Sequence, residues 1–181
     1  MPSLSRTIKT GIWKQSYFKR LPPFLKLVYL FLICGEATSE TSVYSFPIEF
    51  YSPHLAVTAE ELKNAIRDLE KRGYVMYDWD TEEILVIYYF ANHAPIGGIT
   101  YEMFRNDLAE ISSKRLLVAL VENSKNHEIS MPFFAALEDF FPELATDECR
   151  SEFRIKKGKY KTTAEAREAA SKGRAAAASS T

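Results

Sequence analysis

Between residues 58 and 73 the apolar positions fall at Leu62, Ala65, Ile66 and Leu69, the spacing that lines one face of an α-helix. Polar residues Lys63, Asn64, Arg67 and Lys71 take the opposite face. Thr58-Ala59-Glu60-Glu61 ahead of the stripe is a capping box, whose Thr and Glu side chains satisfy two backbone N–H groups that the first helical turn leaves orphaned. Gly73 ends the pattern, because a residue without Cβ enters the left-handed conformation at little cost. The period then changes from helix to strand: Tyr74 to Tyr77 and Ile84 to Phe90 are β-rich runs, and Asp78 to Glu83 between them reads as a turn or wing. Upstream, Ser42 to Phe46 reads as a strand ending at Pro47, and Ser52-Pro53 reads as the cap and first residue of a short helix, Pro53 to Ala56, with Val57 as the turn.

This succession predicts an α+β fold, a mainly helical winged helix-turn-helix with a small antiparallel β-wing and a C-terminal helical extension. Pro22 to Cys34 supplies a first long helix, apolar from Phe24 to Ile33 except at Lys26 and too short to span a bilayer. Arg6 to Trp13 precedes it as a leading strand or arm. After the Pro- and Gly-containing loop of residues 92–98, Thr100 caps a helix carrying Tyr101, Phe104, Leu108 and Ile111 on one face. Ser112 or Ser113 caps a second, through Leu116, Leu117, Leu120 and Val121, and Ser130 caps a third lined by Phe133, Phe134, Leu137, Phe140 and Phe141. From residue 150 the apolar residues thin out, and residues 150–181 read as a basic flexible tail or linker. The expected division is therefore residues 1–91, 92–149 and 150–181.

Composition adds an aromatic share of 13%, enough to furnish a core for a chain of 181 residues. The net charge of −1 hides an asymmetry. Up to Gly35 the six charged residues, Arg6, Lys9, Lys14, Lys19, Arg20 and Lys26, are all basic, and from Arg150 onward nine basic residues face three acidic ones. Both ends suit phosphate groups, while the middle is acidic. No charged-then-apolar leader opens the chain, and Cys34 and Cys149 lie far apart without metal-ligand spacing, so a reduced, cytoplasmic protein with no zinc site is expected. His54, His93 and His127 occupy separate elements and match no catalytic motif; neither an active site nor a cofactor is expected.

The order Arg6-x-Ile8…Ile12-Trp13, an aromatic-rich first helix, Val43-Tyr44-x-Phe46-Pro47, the Thr58–Gly73 helix and Tyr88-Tyr89-Phe90-x-Asn92-His93-x-Pro95 resembles the N-terminal winged-helix part of phage replication initiators of the replisome-organiser type, related to primosomal DnaD-type proteins. The likeness covers residues 6–122. It implies binding of double-stranded origin DNA, self-association as a homodimer or larger assembly, and recruitment of a replicative helicase or helicase loader through a C-terminal region, although no second helicase-interacting domain follows residue 149. In such a fold the second helix of the motif enters the major groove, where Asn64 suits an adenine edge and Arg67 or Lys63 a guanine. Lys71 and Arg72 then lie nearer phosphate, and Arg6, Lys9 and Lys14 add a basic N-terminal segment. Against this, Glu60 and Glu61 and the acidic wing, Asp78, Asp80, Glu82 and Glu83, set carboxylates toward DNA, with Trp79 free to insert or stack. A transcriptional regulator or a protein-interaction adaptor of the same fold are the competing readings. The Phe133, Phe134, Phe140 and Phe141 surplus is expected either to form a dimer face or to cover the winged-helix core of the same chain.

Overall fold

A computed structural model describes residues 7–94, 100–156 and 161–178. In chain order the strands are β1 Thr7–Ile8, β2 Val43–Ser45, β3 Val75–Asp78, β4 Glu83–Val86, β5 His93–Ala94, β6 Glu128–Ser130 and β7 Arg154–Lys156. The α-helices are α1 Ser16–Lys19, α2 Pro23–Cys34, α3 Ile48–Tyr51, α4 Ala59–Lys71, α5 Tyr89–Asn92, α6 Tyr101–Ala109, α7 Lys114–Lys125, α8 Met131–Phe140, α9 Asp147–Ser151 and α10 Thr163–Ala178. The protein is α+β and mainly helical, with a small three-stranded antiparallel sheet in the order β2-β4-β3. Among the described residues no helix is long and apolar enough to cross a membrane.

The chain forms two compact units that do not follow the expected boundaries. Unit 1 takes residues 1–96 and 111–120, and unit 2 takes 97–110 and 121–181. In unit 1, α4 begins as its sequence dictates. Thr58 Oγ1 accepts from the Glu61 amide at 3.2 Å, and Glu61 Oε2 accepts from the Thr58 amide at 2.8 Å. These bonds hold the Glu61 carboxyl below its ordinary pKa, the backbone donor at Thr58 contributing most. Leu62, Ala65, Ile66 and Leu69 are buried against a core that includes Leu25, Tyr29 and Leu32 of α2 and Tyr77 and Ile84 of the sheet. Gly73 takes φ +74° and releases the chain into β3. The register sets Tyr77 opposite Ile84 and Leu85 opposite Val43.

Three local expectations in unit 1 are corrected. The helix expected at residues 53–56 begins earlier: Ile48 and Tyr51, three residues apart, bury one face of α3, and Ser52–Leu55 continues as a 3-10 turn that ends at Ala56 in the left-handed region, φ 54°. The strand expected to reach Phe90 stops at Val86, and Tyr89–Asn92 closes into a helical turn because Asn92 Nδ2 donates to the Tyr88 carbonyl at 2.9 Å while the Asn92 side chain also bonds the Tyr17 hydroxyl. The leading strand shrinks to Thr7–Ile8, antiparallel to β5, after which Thr10–Lys14 turns as a 3-10 helix that buries Ile12.

Unit 2 corrects the expectation of a flexible tail. β7 pairs in parallel with β6, and α10 packs against α8 and α6. Ala166 and Ala170, four residues apart, are 2% and 9% exposed, small side chains that let one helix approach another closely. Between them Arg167 Nη2 donates to the Ala135 carbonyl at 3.0 Å, to Glu138 at 3.1 Å and to Asp139 at 2.8 Å. The aromatic surplus is consumed internally in part: Phe133 meets Phe104 of α6 at 4.9 Å between ring centres, and Phe134, fully buried, meets Phe153 at 5.0 Å, while Phe140 and Phe141 are half-buried. Of the four phenylalanines, Phe133 and Phe134 therefore serve unit 2's own core rather than an external face.

Candidate nucleic-acid interface

The candidate residues of unit 1 lie on the outer side of α4, and the β3–β4 turn reaches the same surface. Lys63 and Arg67, one turn apart, both lie over the Trp79 indole, with Lys63 Nζ 5.8 Å and Arg67 Cζ 5.1 Å from the ring centre. Trp79 is 40% exposed, and the ring of Tyr77, two residues earlier on the same arm of the hairpin, lies 4.5 Å away. Tyr77 is a fixed support: its hydroxyl donates to the Phe46 carbonyl at 2.8 Å and its amide to Glu70 Oε1 at 2.8 Å, which ties α4 to the hairpin. Burial pushes the Tyr77 phenol well up, so it stays protonated as a donor.

Asn64 donates to Glu60 Oε1 at 3.3 Å, and Arg72 pairs with Asp68 at 3.2 Å one helical turn away. Both contacts are exposed pairs of small net worth, which a ligand can displace. Lys71 is exposed in the last turn.

The acidic hairpin is arranged differently from its sequence. Glu83 is buried at 4% exposure, and its two oxygens accept from the backbone amides of Ser112, at 2.8 Å, and Ser113, at 2.7 Å. Thr81 Oγ1 donates to the same carboxylate at 2.9 Å. Ser113 in turn is the α7 cap, its Oγ accepting from the Leu116 amide at 3.2 Å and donating to Asp78. That bond is the main cause of an Asp78 carboxyl held below its ordinary pKa. Arg115 closes the arrangement by donating to the Tyr77 carbonyl at 2.6 Å, with its Nε 3.8 Å from Asp78. A carboxylate beside the first turn of a helix is favoured by the partial positive charge there. Two of the four hairpin carboxylates are thus turned onto the chain itself, and Asp80 and Glu82 remain exposed.

Part of the basic N-terminal segment is engaged within unit 1 itself. Lys9 Nζ donates to the carbonyls of Phe90, at 3.3 Å, and Ala91, at 3.1 Å, in the α5 turn. Lys14 ends the 3-10 turn and is exposed, while Arg6 lies outside the described residues. Sequence patterns gave the α4 residues and a cap at Ser112 or Ser113, of which Ser113 is the one that caps. The role of Trp79 as a seat for two cations, and of Asp78 and Glu83 as partners of residues 112–115, had no local signal beyond an acidic residue at a strand start and a Ser-Ser pair before a helix.

Among the described residues no group of three or more His, Cys, Asp or Glu side chains is gathered so as to hold a metal ion. His54 bonds Glu36 at 3.0 Å and the Phe50 carbonyl at 3.2 Å, and Cys34 and Cys149 form no disulfide among the described residues. Comparison of this mainly helical α+β chain with family models, curated proteins and solved structures gives no match.

Proposed function

We propose that unit 1 is a winged helix-turn-helix that binds double-stranded DNA with the outer face of α4, and that the protein acts as a replication initiator of the replisome-organiser kind. The observation that carries the DNA reading is the company of Lys63, Asn64, Arg67 and Lys71. The carboxylates that their sequence neighbourhood sets against a phosphate backbone are engaged within the chain: Glu61 in the capping box, Glu70 on the hairpin, and Asp78 and Glu83 on the start of α7. What remains on that face is a set of donors around an exposed indole, with Glu60 and Asp68 held in exposed pairs with Asn64 and Arg72 and with Asp80 and Glu82 exposed on the turn. The order strand, short helix, turn, longer helix and hairpin supports the winged-helix assignment, with α4 as the helix that enters the major groove and Asn64 suited to an adenine edge. The initiator role rests on the family resemblance of residues 6–122, and so do helicase or helicase-loader recruitment and self-association.

The test is binding to random and self-locus duplexes over a range of salt concentrations. Specific binding should exceed non-specific binding on at least one self-locus fragment, and Asn64→Ala should reduce that discrimination by about 1–3 kcal/mol. Absence of salt-dependent binding on every duplex removes the DNA reading and leaves the interaction-adaptor reading of the same fold.

A further inference from the structure

Lys63 and Arg67 are like charges at i and i+4 on one helix face, an arrangement that destabilises a helix by repulsion. Here both are drawn over one ring, whose negative face attracts each of them. The ring does not belong to α4. It is carried by the hairpin turn and backed by Tyr77, which is bonded to Phe46 and to Glu70. Two cations from one element are thereby held side by side by an aromatic residue from another, while Asp78 and Glu83 of the same hairpin face the start of α7. Such a pair offers one bound anion two adjacent cationic donors.

We propose that Lys63, Arg67 and Trp79 form one clamp for a backbone phosphodiester of nucleic acid, with Trp79 as the positioning residue. The assignment rests on the DNA reading of α4 and refines it: Arg67 serves as a phosphate contact rather than a guanine reader, because a guanidinium spread over the indole is held back on the hairpin side of the helix. Asn64, one position from Lys63 and exposed with its amide on Glu60, is left as the base-edge contact of this face. Although two of its carboxylates remain exposed, the hairpin takes part in binding through its aromatic residue.

The experiment uses the full chain carrying Trp13→Phe, which leaves Trp79 as the single tryptophan, and follows indole emission and the anisotropy of a labelled duplex in the same titration. Trp79 emission should change in parallel with duplex binding, while inorganic phosphate alone at the same concentrations should leave it unchanged. Because the two cations share one phosphate, the Lys63→Ala/Arg67→Ala double variant should lower the slope of log K against log salt by roughly 0.9, rather than by twice that. Its weakening should be equal on all sequences. Trp79→Leu, which removes no charge, should lower the slope in the same direction, with the far-ultraviolet spectrum unchanged. Binding with no change in Trp79 emission overturns the clamp and leaves the DNA reading standing, as does an Arg67→Ala variant that loses sequence discrimination with an unchanged slope. An equal emission response to inorganic phosphate overturns the phosphodiester assignment. Failure of any duplex to bind overturns the clamp and the DNA reading together.

Discussion

Glu83 accepts the amide proton of Ser113 at 2.7 Å, thirty residues further along the chain, and its second oxygen accepts that of Ser112. A buried carboxylate thus fastens the start of α7 to the hairpin.

Glu83→Ala strips that acceptor pair and leaves the buried Ser113 amide unsatisfied. The expected cost is about 2–3 kcal/mol, read as a lower urea midpoint at unchanged m-value. Glu83→Gln, which keeps one acceptor oxygen, should lose less.

Asp78 supplies a pH dependence whose sign follows from its lowered pKa. A carboxyl depressed in the folded state stabilises the protein above its unfolded pKa of about 3.9, and that contribution disappears as pH falls through the folded value. Thermal unfolding of the wild type and of Asp78→Asn, compared from pH 6 down to pH 3, should show a gap that is full at pH 6 and closes below about pH 4. A gap constant over that range would mean that Asp78 acts by shape alone.

Ser42 precedes β2 with φ 71°, fully buried, and its hydroxyl has no hydrogen-bond partner. Ser42→Gly removes both the left-handed strain of a side chain and an unsatisfied polar atom. The variant should gain about 1 kcal/mol in chemical denaturation, and a loss would show the hydroxyl to be paired in solution.

Arg167 holds α10 on α8 through a carboxylate, Glu138, that is itself 8% exposed. Arg167→Ala should destabilise by about 1–3 kcal/mol, because among the described residues the cation left to Glu138 is Arg150, at 3.9 Å. Hydrogen exchange should then rise first in α10 and the facing part of α8. Arg167→Lys restores a charge without the fork and should recover part of the loss.

Much of unit 1 is legible in the sequence because its signals are local. Thr58 and Glu61 are three residues apart, Gly73 marks a turn by itself, and the four apolar positions of α4 repeat within thirteen residues. What escapes is set by partners far along the chain. Nothing near Glu83 announces Ser112 and Ser113, and Lys9 gives no sign that it will cap the carbonyls of Phe90 and Ala91. Unit 2 hides for a different reason. The buried face of α10 is built from Ala166 and Ala170, which carry almost no hydrophobic signal, and its main anchor is an arginine that charge counting assigns to a free tail. The candidate face was half legible: residue types and helix periodicity gave Lys63, Asn64, Arg67 and Lys71, but not that two of them share the Trp79 ring.

The order in which the chain visits its two units limits how they can be taken apart. It leaves unit 1 at residue 96, returns at 111 and leaves again after 120, so the polypeptide contains no single scissile point between them. A fragment cut near residue 91 to 96 loses the amides that Glu83 needs, and any transplant of the hairpin-bearing unit into another protein must carry residues up to 120. Recombination would shuffle this pair as one cassette, and the smallest heritable module that includes the α4 face with its whole unit runs on to residue 120.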